Sequence, residues 1–220
     1  MEYLHPIIEA FLHGANQEKA PWMINYMKGK FDFLGLETKK RRVIQKEFFN
    51  TYGYPKPEEL NEVVSHLWQL PQREFQYLAI DLLKKFEKKL QKEHIVLIEK
   101  LVLEKSWWDS VDGLAAWICG SYFQLYPSQI PVITRQWMNS GNFWLQRCCL
   151  LFQLKYKETT DTDLLESFIG KLHAEKEFFI RKAIGWVLRE YSKTNPDWVR
   201  DFVKCQALSP LSYKEATKYI

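Results

Sequence analysis

The chain has 220 residues, of which 46% are hydrophobic and 26% are charged. This balance is typical of a globular protein with a sizeable core, and it argues against a chain that is disordered throughout. The formal net charge of +4 is compatible with a polyanionic partner but does not require one.

Helical periodicity, interrupted by short turn signals, extends along the whole chain and predicts an all-α protein of about a dozen short helices. In chain order, breaks are expected at Gly14, Gly53–Pro55, Leu70–Pro71, Pro127, Gly141, Thr159–Asp161, Asn195–Pro196 and Ser209–Pro210. By residue type, helix N-caps are predicted at Thr38, Asp161, Asn195 and Ser209, with Pro196 and Pro210 at the first helical position.

Three features of the sequence bear on the cellular compartment in which the protein is expected. The opening sequence MEYLHPIIEAF has no basic region, so no secretory signal is expected. The longest uncharged stretch, residues 113–134, contains two prolines and several polar residues, which make it a poor membrane span. The four cysteines form no CxxC pair and are expected to be reduced thiols. We therefore expect a cytoplasmic protein that has no membrane partner.

Four segments can be superimposed, at spacings of 33, 36 and 35 residues. Each places an aromatic residue four positions before a short side chain: Phe75/Ala79, Trp108/Asp112, Trp144/Cys148 and Phe179/Ala183. The spacing is that of a helical hairpin repeat, and it predicts a single repeat domain over residues 1–220. Stacked repeats bend into a superhelix, or solenoid, whose concave face binds extended partners.

One repeat differs, because Asp112 occupies the position where the others have Ala or Cys. A charge there must be solvated, paired or used. In the segment SWWDSVDG, Trp108 precedes Asp112 by four residues and shares its helix face, so that indole and carboxylate together could receive a cation. A plain helix-end role for Asp112 remains the alternative. Asp109 suits a structural role in the first helical turn.

Four other tryptophans can be assigned either to the core or to a ligand-binding surface. Trp68, Trp117 and Trp137 are predicted to lie in the core, because indoles at helical spacing are more often buried than exposed to a ligand. Trp186, in AIGWVLREY, is a second candidate ligand face, although its position taken alone also suits the core.

Signatures of metal and nucleotide enzymes are absent from the sequence. The nine glycines form no phosphate-binding loop, and the five histidines show no HExxH or other metal-ligand spacing. GxSxG is missing as well. No metal and no cofactor are therefore expected.

Basic residues cluster at several points of the chain: Lys39–Arg42 with Lys46, Lys84 and Lys85 with Lys88 and Lys89, and Arg181 and Lys182 with Arg189. Each cluster alone is most simply a solvated helix face. Several of them along one groove would neutralise phosphates and give salt-dependent affinity. Arg147 is the strongest single candidate, because it interrupts the apolar run WLQRCCLLFQL.

Three long segments, SWWDSVDG, WLQRCCLLFQLKYK and EKEFFIRKAIGWVLREYSKTNP, resemble the AlkD-like HEAT-repeat DNA glycosylases of the DNA alkylation repair family. The similarity extends to NYMKGKFDFLGLETKKRR, LPQREFQYLAIDLL and ALSPLSYKEA. It implies a right-handed superhelix of HEAT-like repeats that holds duplex DNA against a concave basic face. It also implies release of cationic alkylated purines, such as 3-methyladenine and 7-methylguanine, without full extrusion of the base into a pocket.

The resemblance further implies roles for single residues. Asp112 is expected to be catalytic, with Trp108 and Trp186 in contact with the lesion. Arg147, Tyr26 and Thr38 are expected from the resemblance to contact the DNA backbone. Lys40, Arg42 and Arg189, from the basic clusters described above, are expected to do the same. The chain departs from the family at Glu37, where members commonly have Gln, and a carboxylate is disfavoured near phosphates.

The chemistry is consistent with a single carboxylate. Alkylation makes the purine a good leaving group without a general acid, and one carboxylate can stabilise the oxocarbenium-like sugar and orient the attacking water. We therefore predict a monofunctional DNA glycosylase that acts as a monomer on duplex DNA containing alkylated bases. The alternatives are a catalytically inactive HEAT-repeat DNA-binding protein and a protein-interaction scaffold.

Overall fold

The computed structural model describes all 220 residues and contains fourteen α-helices joined by short turns and loops. The only β-type contact is an isolated parallel bridge between Asp32 and Gln72. The predicted all-α fold class is confirmed.

The chain folds as two compact units, residues 1–89 and residues 90–220. The first unit contains five helices: α1 (His5–His13), α2 (Ala20–Tyr26), α3 (Thr38–Tyr52), α4 (Leu60–Gln69) and α5 (Arg73–Lys85). The second contains nine: α6 (His94–Leu103), α7 (Trp108–Gly113), α8 (Gly120–Leu125), α9 (Ile130–Asn139), α10 (Phe143–Leu151), α11 (Thr162–Leu172), α12 (Phe178–Tyr191), α13 (Pro196–Cys205) and α14 (Pro210–Ala216). The single repeat domain over residues 1–220 stays a prediction.

Most of the predicted helix starts are confirmed. The side chains of Asp161, Asn195 and Ser209 each accept a backbone N–H in the first turn of the following helix, and α13 and α14 begin at Pro196 and Pro210. The predicted N-cap Thr38 is wrong by one residue, because the N-cap of α3 is Glu37. Glu37 has the non-helical backbone conformation, and its carbonyl accepts the N–H of Arg41, so Thr38 is already the first helical residue.

The short residues of the four superimposed segments lie where helices pack together. Ala79, Cys148 and Ala183 are fully buried in α5, α10 and α12. Because these side chains are short, neighbouring helices can pack closely at these positions. Asp112 occupies the corresponding position in α7 and is only partly buried. The one charged member of the set therefore lies at an opening in the packing.

Each unit has its own aromatic core. In the first, Trp68 is buried, and Phe11 stacks on Phe75 with 5.5 Å between ring centroids. In the second, Trp137 is fully buried, and its indole N–H donates to the Glu99 carboxylate at 2.7 Å. The core assignments of Trp68 and Trp137 are confirmed.

The core assignment of Trp117 is wrong, since 39% of its surface is exposed. The cause is a π-helix over Leu114–Cys119, directly after α7. Its wider turn rotates later side chains away from the direction that α-helical spacing predicts. The Trp117 indole instead lies at the surface, with the Lys155 ammonium 5.6 Å from its ring centroid.

The last helix docks on α12 through a glycine. A Cβ atom at Gly185 would come within 2.4 Å of the Glu215 Cβ and 2.8 Å of the Ser212 carbonyl oxygen, so only glycine permits this approach. The Ser212 hydroxyl donates to the Arg181 carbonyl at 3.0 Å and fixes the position of α14 along α12. This contact brings Glu215 to the side of α12 that also carries Lys182 and Arg189.

Two structural features are absent. All of the helices fall short of the length and apolar character that a bilayer span requires. No group of three or more His, Cys, Asp or Glu side chains is arranged to hold a metal ion.

The Gly185 contact leads to a stability prediction. Gly185→Ala is expected to lower the free energy of unfolding by about 1–3 kcal/mol, because the new methyl group overpacks the α12–α14 contact. Gly170→Ala is the matched control, since Gly170 is also helical but a methyl group on its Cα would have no neighbouring atom within 4 Å. The control should raise stability by about 0.5–1 kcal/mol. Urea denaturation measures both, and equal effects of the two substitutions would contradict the close packing at Gly185.

Candidate active site

Asp112 and Arg147 form a bidentate ion pair in the second unit. The Arg147 Nε donates to Asp112 Oδ1 at 2.7 Å, and a terminal nitrogen donates to Oδ2 at 2.9 Å. The other terminal nitrogen donates to the Phe179 carbonyl oxygen. Only 4% of the Arg147 side chain is exposed, against 17% for Asp112. The guanidinium therefore orients the carboxylate from behind, while the carboxylate retains access to solvent.

Helix caps and aromatic packing place the two partners. The Asn142 side chain caps α10 by accepting the backbone N–H groups of Trp144 and Leu145. Trp144 then packs against Phe179 from α12, with 4.9 Å between ring centroids, and Trp107 packs against the same phenyl ring at 5.2 Å. This cluster joins the starts of α7, α10 and α12 and thereby fixes the separation between Asp112 and Arg147.

The ion pair lies in a cleft of about 280 Å³ between α7, α10, α12 and α14. The residues that line the cleft are Trp108, Asp112, Arg147, Phe178, Phe179, Lys182, Trp186, Arg189 and Glu215. Five of them are residues selected from the sequence: Trp108, Asp112, Arg147, Trp186 and Arg189. Trp108 and Trp186 are both partly exposed, so their rings are accessible to a ligand in the cleft.

Four of the nine side chains in this cleft were not selected as site residues from the sequence. Phe178, which is 54% exposed, and Phe179 add two aromatic side chains to the two tryptophans. Lys182 was considered only as part of a basic cluster. Glu215 was not considered at all, although it lies in ALSPLSYKEA, a segment that carries the family resemblance. Only the tertiary contact between Gly185 and α14 brings Glu215 into the cleft, and no local sequence pattern connects the two.

A second group of charges lies beside the first. Glu215 accepts a hydrogen bond from the Lys182 ammonium at 2.8 Å and another from the Arg189 guanidinium at 2.5 Å. The cleft thus contains three cationic and two anionic side chains, and at neutral pH both anions are bound by cations. Such a site can hold a positively charged group against carboxylate and aromatic surfaces.

Protonation differs among these groups. Burial raises the pKa of the Asp112 carboxyl above its usual value, and the hydrogen bonds and charge of Arg147 act in the opposite direction. The hydrogen bond from Lys182 is the main cause of a lowered pKa at Glu215. Burial raises the pKa of the Cys148 thiol well above its usual value, so this neighbour of Arg147 remains protonated and is not a nucleophile.

The four remaining candidate residues belong to the first unit. Tyr26, at the end of α2, is 54% exposed and stacks on the more exposed Trp22 at 5.6 Å between ring centroids. Thr38 and Lys40 are exposed at the start of α3, where the Lys40 ammonium donates to the Gly14 carbonyl at 2.9 Å. Arg42 is exposed on the same helix. Their contacts with DNA stay a prediction.

Glu37 borders the groove that Thr38 and Lys40 also line. Its exposed carboxylate forms an ion pair with Lys19. The negative charge that distinguishes this chain from the family pattern is therefore balanced by a neighbouring cation.

The buried ion pair leads to a prediction for stability. Arg147→Met is expected to cost about 3–5 kcal/mol of unfolding free energy, because it leaves the Asp112 charge buried without its partner. Adding Asp112→Asn should recover part of that loss, giving a coupling energy between the two sites. Arg200→Met is the control, since it breaks the exposed pair with Asp197 and should change stability by less than about 1 kcal/mol. Strictly additive effects at positions 147 and 112 in urea denaturation would show that the two side chains are not coupled.

The chain is similar to known proteins over nearly its full length. A family profile described as "DNA alkylation repair enzyme" matches residues 7–220. The structure described as "Predicted DNA alkylation repair enzyme from Enterococcus faecalis" is 39% identical, with a TM-score of 0.86 over 94% of this chain and 96% of that one. AlkD2 from Streptococcus mutans is 20% identical, with a TM-score of 0.62 over 84% and 90% of the two chains, and shares the helical fold. Comparison with curated proteins finds no match. The family match and the 39% identical structure place the chain in the DNA alkylation repair enzyme family.

Proposed function

We propose that the protein is a monofunctional DNA glycosylase that excises cationic alkylated purines, such as 3-methyladenine and 7-methylguanine, from duplex DNA. The observation that carries this proposal is the Asp112 carboxylate, which Arg147 holds at 2.7 and 2.9 Å in a cleft that Trp108 and Trp186 also line. Family membership supports a role in alkylation repair and DNA as the partner.

The proposed reaction needs one ionised carboxylate. The bond between C1′ and the purine nitrogen breaks, and its electron pair stays with the base, which leaves as a neutral molecule. Positive charge develops on the sugar and is stabilised by Asp112. A water oxygen then bonds to C1′, and its proton passes to the carboxylate or to solvent. Because the base is already cationic, no general acid has to protonate it.

The aromatic side chains supply selectivity. The faces of Trp108 and Trp186 are electron-rich and attract a cationic purine more strongly than a neutral one. The cleft of about 280 Å³ lies close to the lower limit of the roughly 300–1,000 Å³ of pockets that enclose a ligand. Recognition of the lesion without full extrusion of the nucleotide into a closed pocket is proposed from the family resemblance.

Arg147 has two roles in this proposal. Three of its five N–H groups are used within the protein, two toward Asp112 and one toward Phe179. The other two are not bonded within the protein, but only 4% of the side chain is exposed. The proposed contact with a phosphate next to the lesion therefore requires the backbone to reach Arg147 through the cleft that it lines. Arg189 and the exposed Tyr26, Thr38, Lys40 and Arg42 are proposed to bind the backbone elsewhere on the duplex. We further propose that the protein acts as a monomer in the cytoplasm.

Asp112→Asn tests the proposal directly. In a single-turnover assay on duplex DNA containing 7-methylguanine, the variant is expected to release free base at least about 100-fold more slowly than the wild type, because the charge opposite the sugar is lost. Asp109→Asn, which removes a carboxylate from the same helix, should stay near the wild-type rate. Binding without release by the wild type would identify an inactive DNA-binding protein. Neither binding nor release would point to a protein-interaction scaffold.

The raised pKa of Asp112 predicts a specific pH dependence. Excision should slow as the pH falls, because protonation removes the stabilising charge, and the midpoint should lie above the value of about 3.9 for an unperturbed aspartate. The measurement is the enzyme-dependent release rate between about pH 4 and about pH 8, after subtraction of spontaneous depurination. A rate that increases steadily toward low pH would instead require a protonated group in catalysis.

A further inference from the structure

Glu215 is the one cleft carboxylate without a role in the proposed reaction. Its two oxygens bind different cations of α12, Lys182 at 2.8 Å and Arg189 at 2.5 Å. The side chains are partly accessible, with 21% of Glu215, 38% of Lys182 and 22% of Arg189 exposed. All three can therefore respond to a charged ligand that enters the cleft.

The packing of α14 on α12 brings this carboxylate into place. Lys182 and Arg189 are seven residues apart and share one face of the helix, and Gly185 lies between them on that face. The missing side chain at Gly185 gives α14 the room to approach, and the bond from Ser212 to the Arg181 carbonyl fixes its register. As a result Glu215 reaches both cations from one position.

We infer that Glu215 is a specificity-determining residue: by binding Lys182 and Arg189, it weakens their attraction to the phosphates of undamaged DNA while it adds negative charge that favours a cationic base. The inference rests on the DNA partner of the proposed function. Without Glu215, two cations on one helix face would be available to a phosphate backbone. With Glu215 in place, the three side chains together carry a net charge of only +1.

This arrangement separates affinity from selectivity. Each additional phosphate that a protein neutralises steepens the dependence of log affinity on log salt concentration by about 0.9. Releasing Lys182 and Arg189 should therefore increase binding to any duplex, damaged or not. The same change removes a negative charge that distinguishes a cationic lesion from a neutral base. The ratio of the two affinities should fall.

Glu215→Gln tests the inference because it keeps the shape of the side chain and removes its charge. Binding to undamaged duplex DNA is measured by fluorescence anisotropy over a series of KCl concentrations. We expect about 5- to 10-fold tighter binding at low salt and a salt slope that is steeper by about 1. The preference for duplex containing 7-methylguanine over undamaged duplex should decrease.

Two variants serve as controls. Asp201→Asn makes the same change in net charge at an exposed pair with Lys204, outside the cleft, and should leave the slope near the wild-type value. Glu215→Asp keeps the negative charge in the cleft and should also retain the wild-type slope. Thermal unfolding of each variant confirms that the proteins compared are folded.

The outcomes distinguish this inference from the proposed function. If the wild type excises 7-methylguanine but Glu215→Gln shows an unchanged salt slope and an unchanged preference, the role of Glu215 is wrong and the glycosylase proposal stands. If Asp201→Asn steepens the slope as much as Glu215→Gln does, overall charge explains the effect and the inference also fails. A wild type that neither binds nor cleaves duplex DNA removes the proposed function, and this inference with it.

Discussion

The bidentate pair between Asp112 and Arg147 fixes the geometry of the candidate site. A charge at the position of Asp112 interrupts a set of small buried residues, and α7 can pack there only because α10 supplies a guanidinium that satisfies both carboxylate oxygens. A third bond from the same guanidinium reaches the Phe179 carbonyl of α12. Buried ion pairs contribute little net stability, because desolvation offsets most of their attraction. Their contribution here is orientation: three helices meet with the carboxylate directed into the cleft.

The surroundings of the pair explain how one carboxylate can serve the proposed chemistry. Burial alone would favour the protonated acid, whereas Arg147 favours the ion. The result is a charge that is incompletely solvated and therefore interacts strongly with a sugar that becomes positive. The partly exposed rings of Trp108 and Trp186 complete a surface that attracts positive charge without a deep pocket. In the proposed function, selection depends on the charge and lability of the damaged base more than on the edges of the bases.

Local patterns in the sequence were sufficient for the fold class and for most helix starts. Five of the nine side chains of the cleft were selected by these patterns together with the family resemblance. They were insufficient wherever the geometry depends on a change of helix type or on a distant contact. The π-helix at Leu114–Cys119 rotated Trp117 out of the core, because a periodicity argument assumes a constant number of residues per turn. Glu215 was missed because its position depends on Gly185 in another helix, and a glycine in a helix interior gives no sign of what packs against it. The burial of Arg147 could not be predicted from local sequence either, because its ion-pair partner Asp112 lies 35 residues away.

The position of Asp112 in the repeat also constrains how this site can change over generations. An alanine or cysteine there would suit the packing, as it does in α5, α10 and α12. It would, however, leave the buried Arg147 guanidinium without its ion-pair partner. An apolar residue in place of Arg147 would likewise leave the Asp112 carboxylate without its ion-pair partner. The two positions are therefore coupled: losing either residue alone leaves the other without its partner, so the pair is expected to be kept or lost together.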